Sequence, residues 1–318
     1  MQSLRAHVFV LCLLALASTG CGASGSGGPG GSGSTPQTGP TLAPGPHFFT
    51  TDGASPGKIY VWNTPLNASS KPVVIVPTSG NVPYNMCFDN AGHMFQTFRN
   101  TPEVFVYNLP LNNSSTPAFV LSMPGGSTDC HFDPSGNLYV AGTNTNNIAV
   151  FKAPVSSSST ISSNITTNVN GPWGVFADAN HVYVTNLTNT TMYSNLAGGN
   201  ALQATFSTQH DNYGVIVGPT GDLFVSNVIA VNEIDVFHFP VTNSSAPDVS
   251  KSIMVQANTA TRCITYISFD TSGNLYIAGS DDLDASFNHI YVYPPPYTAK
   301  SLDLDASHVK LRGDQLGP

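Results

Sequence analysis

The stretch FDPSGNLYVAG, Phe132 to Gly142, returns as FDTSGNLYIAG at Phe269 to Gly279, with nine of eleven positions identical. In both copies an Asp opens a tight turn, a Gly suits a positive φ, and Asn follows. After the turn, apolar and polar residues alternate with the period of two that a half-buried strand requires. Weaker copies surround the same point. FDNAGHMFQ centres on Gly92, VGPTGDLFV on Gly221, and FADANHVYV puts Asn180 in the glycine's place. From Gly92 through Gly136, Asn180 and Gly221 to Gly273, the markers recur every 41 to 52 residues.

A second phrase follows each first one: VFVYNLP, IAVFKAP, TTMYSNL, IDVFHFP and IYVYPPP. A sixth copy, IYVWNTP at Ile59–Pro65, precedes them all, and the aligned aromatics are Trp62, Tyr107, Phe151, Tyr193, Phe237 and Tyr293. Most copies continue through a polar loop (PLNASS, PLNNSS, PVSSSS, PVTNSS) into another apolar run. Four short strands per 40–50 residues is the pattern of a β-propeller. One blade cannot bury both of its faces, whereas a ring of blades can. The expected fold is therefore all-β: six four-stranded antiparallel blades spanning residues 47–318. The first blade lacks a phrase of the FDxxG kind, and residues are left over after the last blade. Ser307–Leu316 is expected to supply the missing inner strand, closing the ring by pairing the two termini in one blade.

The FDxxGNLYV units resemble NHL-type repeats and the wider TolB-like and SMP-30-like group of six-bladed propellers. That resemblance covers about residues 46–318 and implies architecture, since this fold carries enzymes, ligand binders and scaffolds alike. Lactonases of the SMP-30-like group hold a divalent metal at the channel mouth through Glu, Asn and Asp. Asn85 and Asp129 fall near such positions here, but the chain has only two glutamates, Glu103 and Glu233, and neither lies on an inner strand.

The remaining composition narrows the function. Only 9% of the 318 residues are charged and the formal net charge is −8, so no basic stripe offers itself to nucleic acid. Residues 1–20 read as a secretory signal, with Arg5 ahead of an apolar run from Val8 to Ala17. LASTGC resembles the lipobox of bacterial lipoproteins, with Cys21 as the lipid-bearing residue and Ser18 where that family usually has an aliphatic one. Ordinary secretion with cleavage nearby is the other reading. Residues 21–46 have the Gly/Ser/Pro composition of a flexible tether. The expectation is an extracytoplasmic, monomeric protein that meets the membrane through its lipid anchor alone.

Cys87, Cys130 and Cys263 remain in the domain. Cys87 and Cys130 differ by one repeat position, which puts their side chains on opposite strand faces and argues against a bridge between them. His131 beside Cys130 faces away from it for the same reason. His47, His93 and His181 sit just after their turns, where Asn137, Asp222 and Asn274 stand in other copies. That favours turn formers over a metal ring. Asp281, Asp282 and Asp284 lie in the longest insertion, AGSDDLDASFNH, and read as a solvated acidic loop.

In a propeller, the starting ends of the inner strands share one mouth of the channel with the loops between second and third strands. Counting back from each turn places Asn85, Asp129, Trp173, Tyr213 and Tyr266 there, with Arg262 nearby. These positions differ between blades while the strands after them agree, as a binding surface on a rigid scaffold would. No HExxH, P-loop or GxSxG occurs in the domain. The expected function is therefore non-enzymatic recognition of a protein, peptide or glycan, with no cofactor. The alternative is a metal-dependent hydrolase or lactonase of the SMP-30-like kind.

Overall fold

The computed structural model describes residues 45–317 apart from 54–55, 80, 196–199, 209–210, 228–231, 257–261, 282–287 and 307–310. Residues 1–44, which hold the expected signal, Cys21 and nearly all of the expected tether, lie outside the described residues, as do Asp282 and Asp284. Of Arg262, Cys263 and Asp281 only the backbone is described.

Each FDxxG turn is built by its aspartate. Asp133 Oδ1 accepts the backbone N–H of Ser135 and of Asn137, both at 2.9 Å, while Asn137 Nδ2 donates to Asp133 Oδ2 at 2.8 Å. Asp270 repeats the pattern with Ser272 and Asn274. Gly136 and Gly273 sit at φ 82° and 81°, which is why the marker is glycine. His93 stands in for the asparagine, with its Nδ1 2.7 Å from Asp89 Oδ2. His181 takes the same place, its backbone N donating to Asp178 Oδ1 at 2.7 Å, so these two histidines fill a turn position; the residues at 41–44, ahead of His47, lie outside the described ones.

Turns at these positions reverse the chain between the first and second strands of blades two to six. Blade one holds β1 (His47–Asp52), β2 (Lys58–Asn63) and β3 (Val74–Pro77). Blade two holds β4 (Pro83–Phe88), β5 (His93–Phe98), β6 (Glu103–Asn108) and β7 (Phe119–Ser122). Blade three holds β8 (Asp129–Phe132), β9 (Leu138–Gly142), β10 (Asn147–Phe151) and β11 (Ser163–Ile165). Blade four holds β12 (Gly174–Ala177), β13 (His181–Thr185), β14 (Asn189–Ser194) and β15 (Leu202–Ser207). Blade five holds β16 (Asn212–Val217), β17 (Leu223–Asn227), β18 (Asn232–Phe237) and β19 (Ile253–Gln256). Blade six holds β20 (Arg262–Phe269), β21 (Leu275–Asp281), β22 (His289–Tyr293) and β23 (Leu302–Asp305). The last strand, β24 (Leu311–Gly317), pairs antiparallel with β1 and completes blade one, with Gly317 opposite His47 and Leu316 opposite Phe48. It packs between β4 and β20, so six inner strands close a ring around one axis. The expected closure is present; its first residues, 307–310, lie outside the described ones.

The core lies between blades. Cys87, Phe95, Val106 and Leu121 of blade two meet Cys130, Val140, Ala149 and Phe151 of blade three in one cluster. The six aligned aromatics are each at most 5% exposed. At about 25 cal/mol per Å2 of apolar area, such inter-blade faces are the main stabilising term.

The same arrangement corrects the cysteine expectation. Cys87 and Cys130 are joined by a disulfide, with Cα atoms 5.6 Å apart. Their side chains do point to opposite faces of their own sheets. Adjacent blades, however, pack the front of one against the back of the next. Opposite faces on neighbouring blades are therefore the faces that touch, and the one-position offset that seemed to forbid the bond is what permits it.

Candidate functional site

Besides β24, whose pairing with β1 shifts between Thr51 and Asp52, three inner strands carry irregularities in register near their starting ends: β4 between Pro83 and Met86, β16 between Asn212 and Val215, and β20 between Ile264 and Ile267. Such bulges re-aim side chains. Here they coincide with Tyr84, Tyr213 and Tyr266. Trp173 stacks on Tyr213 with ring centroids 4.3 Å apart and lies 6.1 Å from Tyr84. Gly174 allows this approach, since a Cβ there would lie 2.2 Å from the Tyr213 carbonyl oxygen. Tyr266 reaches across the axis from blade six, and its hydroxyl lies 2.8 Å from Thr128 O and 3.1 Å from Trp173 O on blades three and four.

Beneath this aromatic layer sits Asp129. Its Oδ1 accepts Asn85 Nδ2 at 2.7 Å and Cys130 N at 2.8 Å, and its Oδ2 accepts Val175 N at 2.8 Å. Burial pushes its carboxyl up to about 7 despite those three donors. Burial also raises Tyr266 well above the ordinary phenol value, with the Asp129 charge adding to it. A cavity of about 20 Å3 lies beside Asp129, lined by Asn85, His131, Phe176, Gly214 and Tyr266. Hydroxyls tie the strand starts together from blade to blade. Thr51 donates to Tyr84 O at 2.5 Å, Thr185 to Tyr213 O at 2.5 Å, and Ser226 to Thr265 O at 2.6 Å.

Five of the six residues singled out in the sequence thus meet at the axis: Asn85, Asp129, Trp173, Tyr213 and Tyr266. All five are between 1% and 6% exposed, so together they plug this end of the channel. The side chain of Arg262 is outside the described ones. One residue was missed. Arg99, in the loop between β5 and β6, sets its guanidinium 4.6 Å over the Trp173 ring, with Nη1 3.5 Å from the Tyr84 hydroxyl. Its signal was present in the sequence as a lone arginine in a rim loop of a chain poor in cations.

His131 continues the wall toward the other mouth. Its ring lies 4.2 Å from Phe176 and Nδ1 accepts Ala177 N at 3.2 Å, which puts the ring proton on Nε2. Burial pushes its pKa down to about 4. With Cys130 in the disulfide, no Cys–His pair exists. Beside the Asp turns of blades two to four lies a depression of about 760 Å3 lined by Phe88, His131, Phe132, Pro154 and Phe176, with the turn aspartate Asp133 at its edge.

The divalent metal of the lactonase resemblance does not suit these residues. Asp129 directs both oxygens at protein N–H donors; Asn85 gives its NH2 to Asp129 and keeps a buried Oδ1 without a hydrogen-bond partner, one oxygen where a divalent ion wants several. Among the described residues no three His, Cys, Asp or Glu side chains converge as a ligand set.

No protein-family model and no curated protein sequence matches the chain. Solved structures do resemble it. A protein of unknown function from Bacteroides caccae superposes with a TM-score of 0.63 at 12% identity, over 85% of this chain and 98% of that one. A structure described as a candidate 6-phosphogluconolactonase from Bacteroides uniformis gives 0.59 at 13% identity, over 83% and 82%. The WD40 propeller domain of Doa1 gives 0.59 at 10%, over 84% and 82%. The likeness is one of fold. It places the chain among propellers and leaves the function to the chemistry of the site.

Proposed function

We propose that the chain is a secreted, lipid-anchored six-bladed propeller of the NHL-like kind that acts as a non-enzymatic recognition module. Its ligand, a protein, peptide or glycan, binds at the mouth floored by Asn85, Asp129, Trp173, Tyr213 and Tyr266, with Arg262 at the rim. The observation that carries this reading is the axial plug. A channel closed by aromatic rings and cross-axis hydrogen bonds makes a rigid floor for contacts from loops that differ between blades. The Cys87–Cys130 disulfide supports export, because such bonds persist in oxidising compartments. Binding of the purified chain to glycan and peptide arrays tests the proposal. Retention of a ligand class by the wild type, and its loss on Trp173→Ala, is the expected outcome; an array blank for both classes counts against it.

Asp129 favours a second reading. A carboxyl held near about 7 is in the range for proton transfer at neutral pH. A lactone hydrolase using it would turn over simple lactones and lose that activity in Asp129→Asn with the fold retained.

A further inference from the structure

The geometry points to a carboxylate-binding position at Arg99, and through it to an acidic saccharide as the ligand. This rests on the recognition reading above and narrows it. Arg99 belongs to blade two, yet its side chain lies over Trp173 of blade four and so spans the upper mouth. Its backbone is held in place from blade three. Gly126, at φ 80°, approaches so closely that a Cβ there would lie 1.9 Å from the Arg99 carbonyl oxygen. Asn144 Nδ2 donates to that same oxygen at 3.3 Å, and Ser127 N donates to Phe98 O at 2.8 Å. The guanidinium is thereby presented on a fixed arm above an aromatic floor, and a pre-placed fork loses little freedom when it binds.

A guanidinium offers five N–H donors. Among the described residues Arg99 makes one long hydrogen bond, to the Tyr84 hydroxyl, and its side chain pairs with no carboxylate. It is half-buried, so its outer edge still meets solvent. In a chain with 18 acidic and 10 basic residues, an arginine mounted at the channel mouth without an acid partner is left for an external anion. A planar carboxylate fits the fork through two parallel hydrogen bonds. The rim around it carries exposed amides at Asn100, Asn144 and Asn146, of which Asn144 gives its NH2 to Arg99 O and Gly125 O and keeps its Oδ1. Asn146 spends its Oδ1 on Gly171 N at 2.7 Å, which leaves its NH2 for a ligand. Neutral amides beside a charged fork suit a sugar ring that carries a carboxylate among hydroxyls.

The test is calorimetry on the full chain with tetragalacturonate, its carboxyl-reduced counterpart, and a peptide ending in a free carboxylate. The expected result is binding of the uronate that weakens with added salt, and no binding of the reduced sugar. Arg99→Lys keeps the charge but loses the fork, and should weaken uronate binding by about tenfold or more. Equal binding of the reduced sugar overturns the carboxylate position while the recognition reading stands. Preference for the peptide over the uronate overturns the saccharide. A chain that binds none of the three, and stays blank on the arrays as well, brings down both readings.

Discussion

Asp129→Asn should remove a pH dependence of stability that the wild type carries. The folded chain holds the Asp129 carboxyl at about 7, against an ordinary value of 3.8, because burial penalises the charge more than three donors repay it. A carboxyl whose folded pKa is raised favours folding in its protonated form. Its contribution is full below the unfolded value and is lost as pH rises through the folded one. At 1.36 kcal/mol per unit, raising pH from 5 to 8.5 costs the folded state about 3 kcal/mol through this group alone. His131 works the other way: its lowered pKa removes stability as pH falls below the ordinary imidazole value. The wild-type profile is therefore a sum, and the difference between wild type and Asp129→Asn isolates Asp129. Urea unfolding of both proteins across this range measures it. The stability of the wild type relative to the variant should fall by about 3 kcal/mol as pH rises. A difference that stays level, or rises, refutes the account of a desolvated carboxyl at the axis.

Other outcomes follow from the closure and the plug. Replacing Cys87 and Cys130 together by Ala should lower unfolding stability by about 2–4 kcal/mol, and reducing agent should then have little further effect on that variant. Tyr266→Phe strips the cross-axis hydroxyl from two buried carbonyls and should cost about 1–3 kcal/mol in urea unfolding while leaving the blade count unchanged. Deleting residues 311–318 removes β24 and exposes the β1 edge; the truncated chain should lose cooperative unfolding and self-associate in size-exclusion chromatography.

The repeat was legible because each blade writes its own local chemistry. Asp133 and Asp270 shape their turns with neighbours two and four residues away, and period-two alternation assigns the strands that follow. Equivalence of the copies also located the ends of the inner strands, so Asn85, Asp129, Trp173, Tyr213 and Tyr266 could be named together. What each does there was not legible. Tyr266 meets Thr128 across 138 residues, and Arg99 meets Trp173 from two blades away.

The amino-acid order thus settled the blade, the number of blades and the use of both termini to shut the ring, because turns, alternation and repetition act between residues near in sequence. Only the assembled ring decided the Cys87–Cys130 bond, the plug and the perch of Arg99. Those depend on which face of one blade meets its neighbour, and on bulges that swing side chains toward the axis, and neither is written within any single copy.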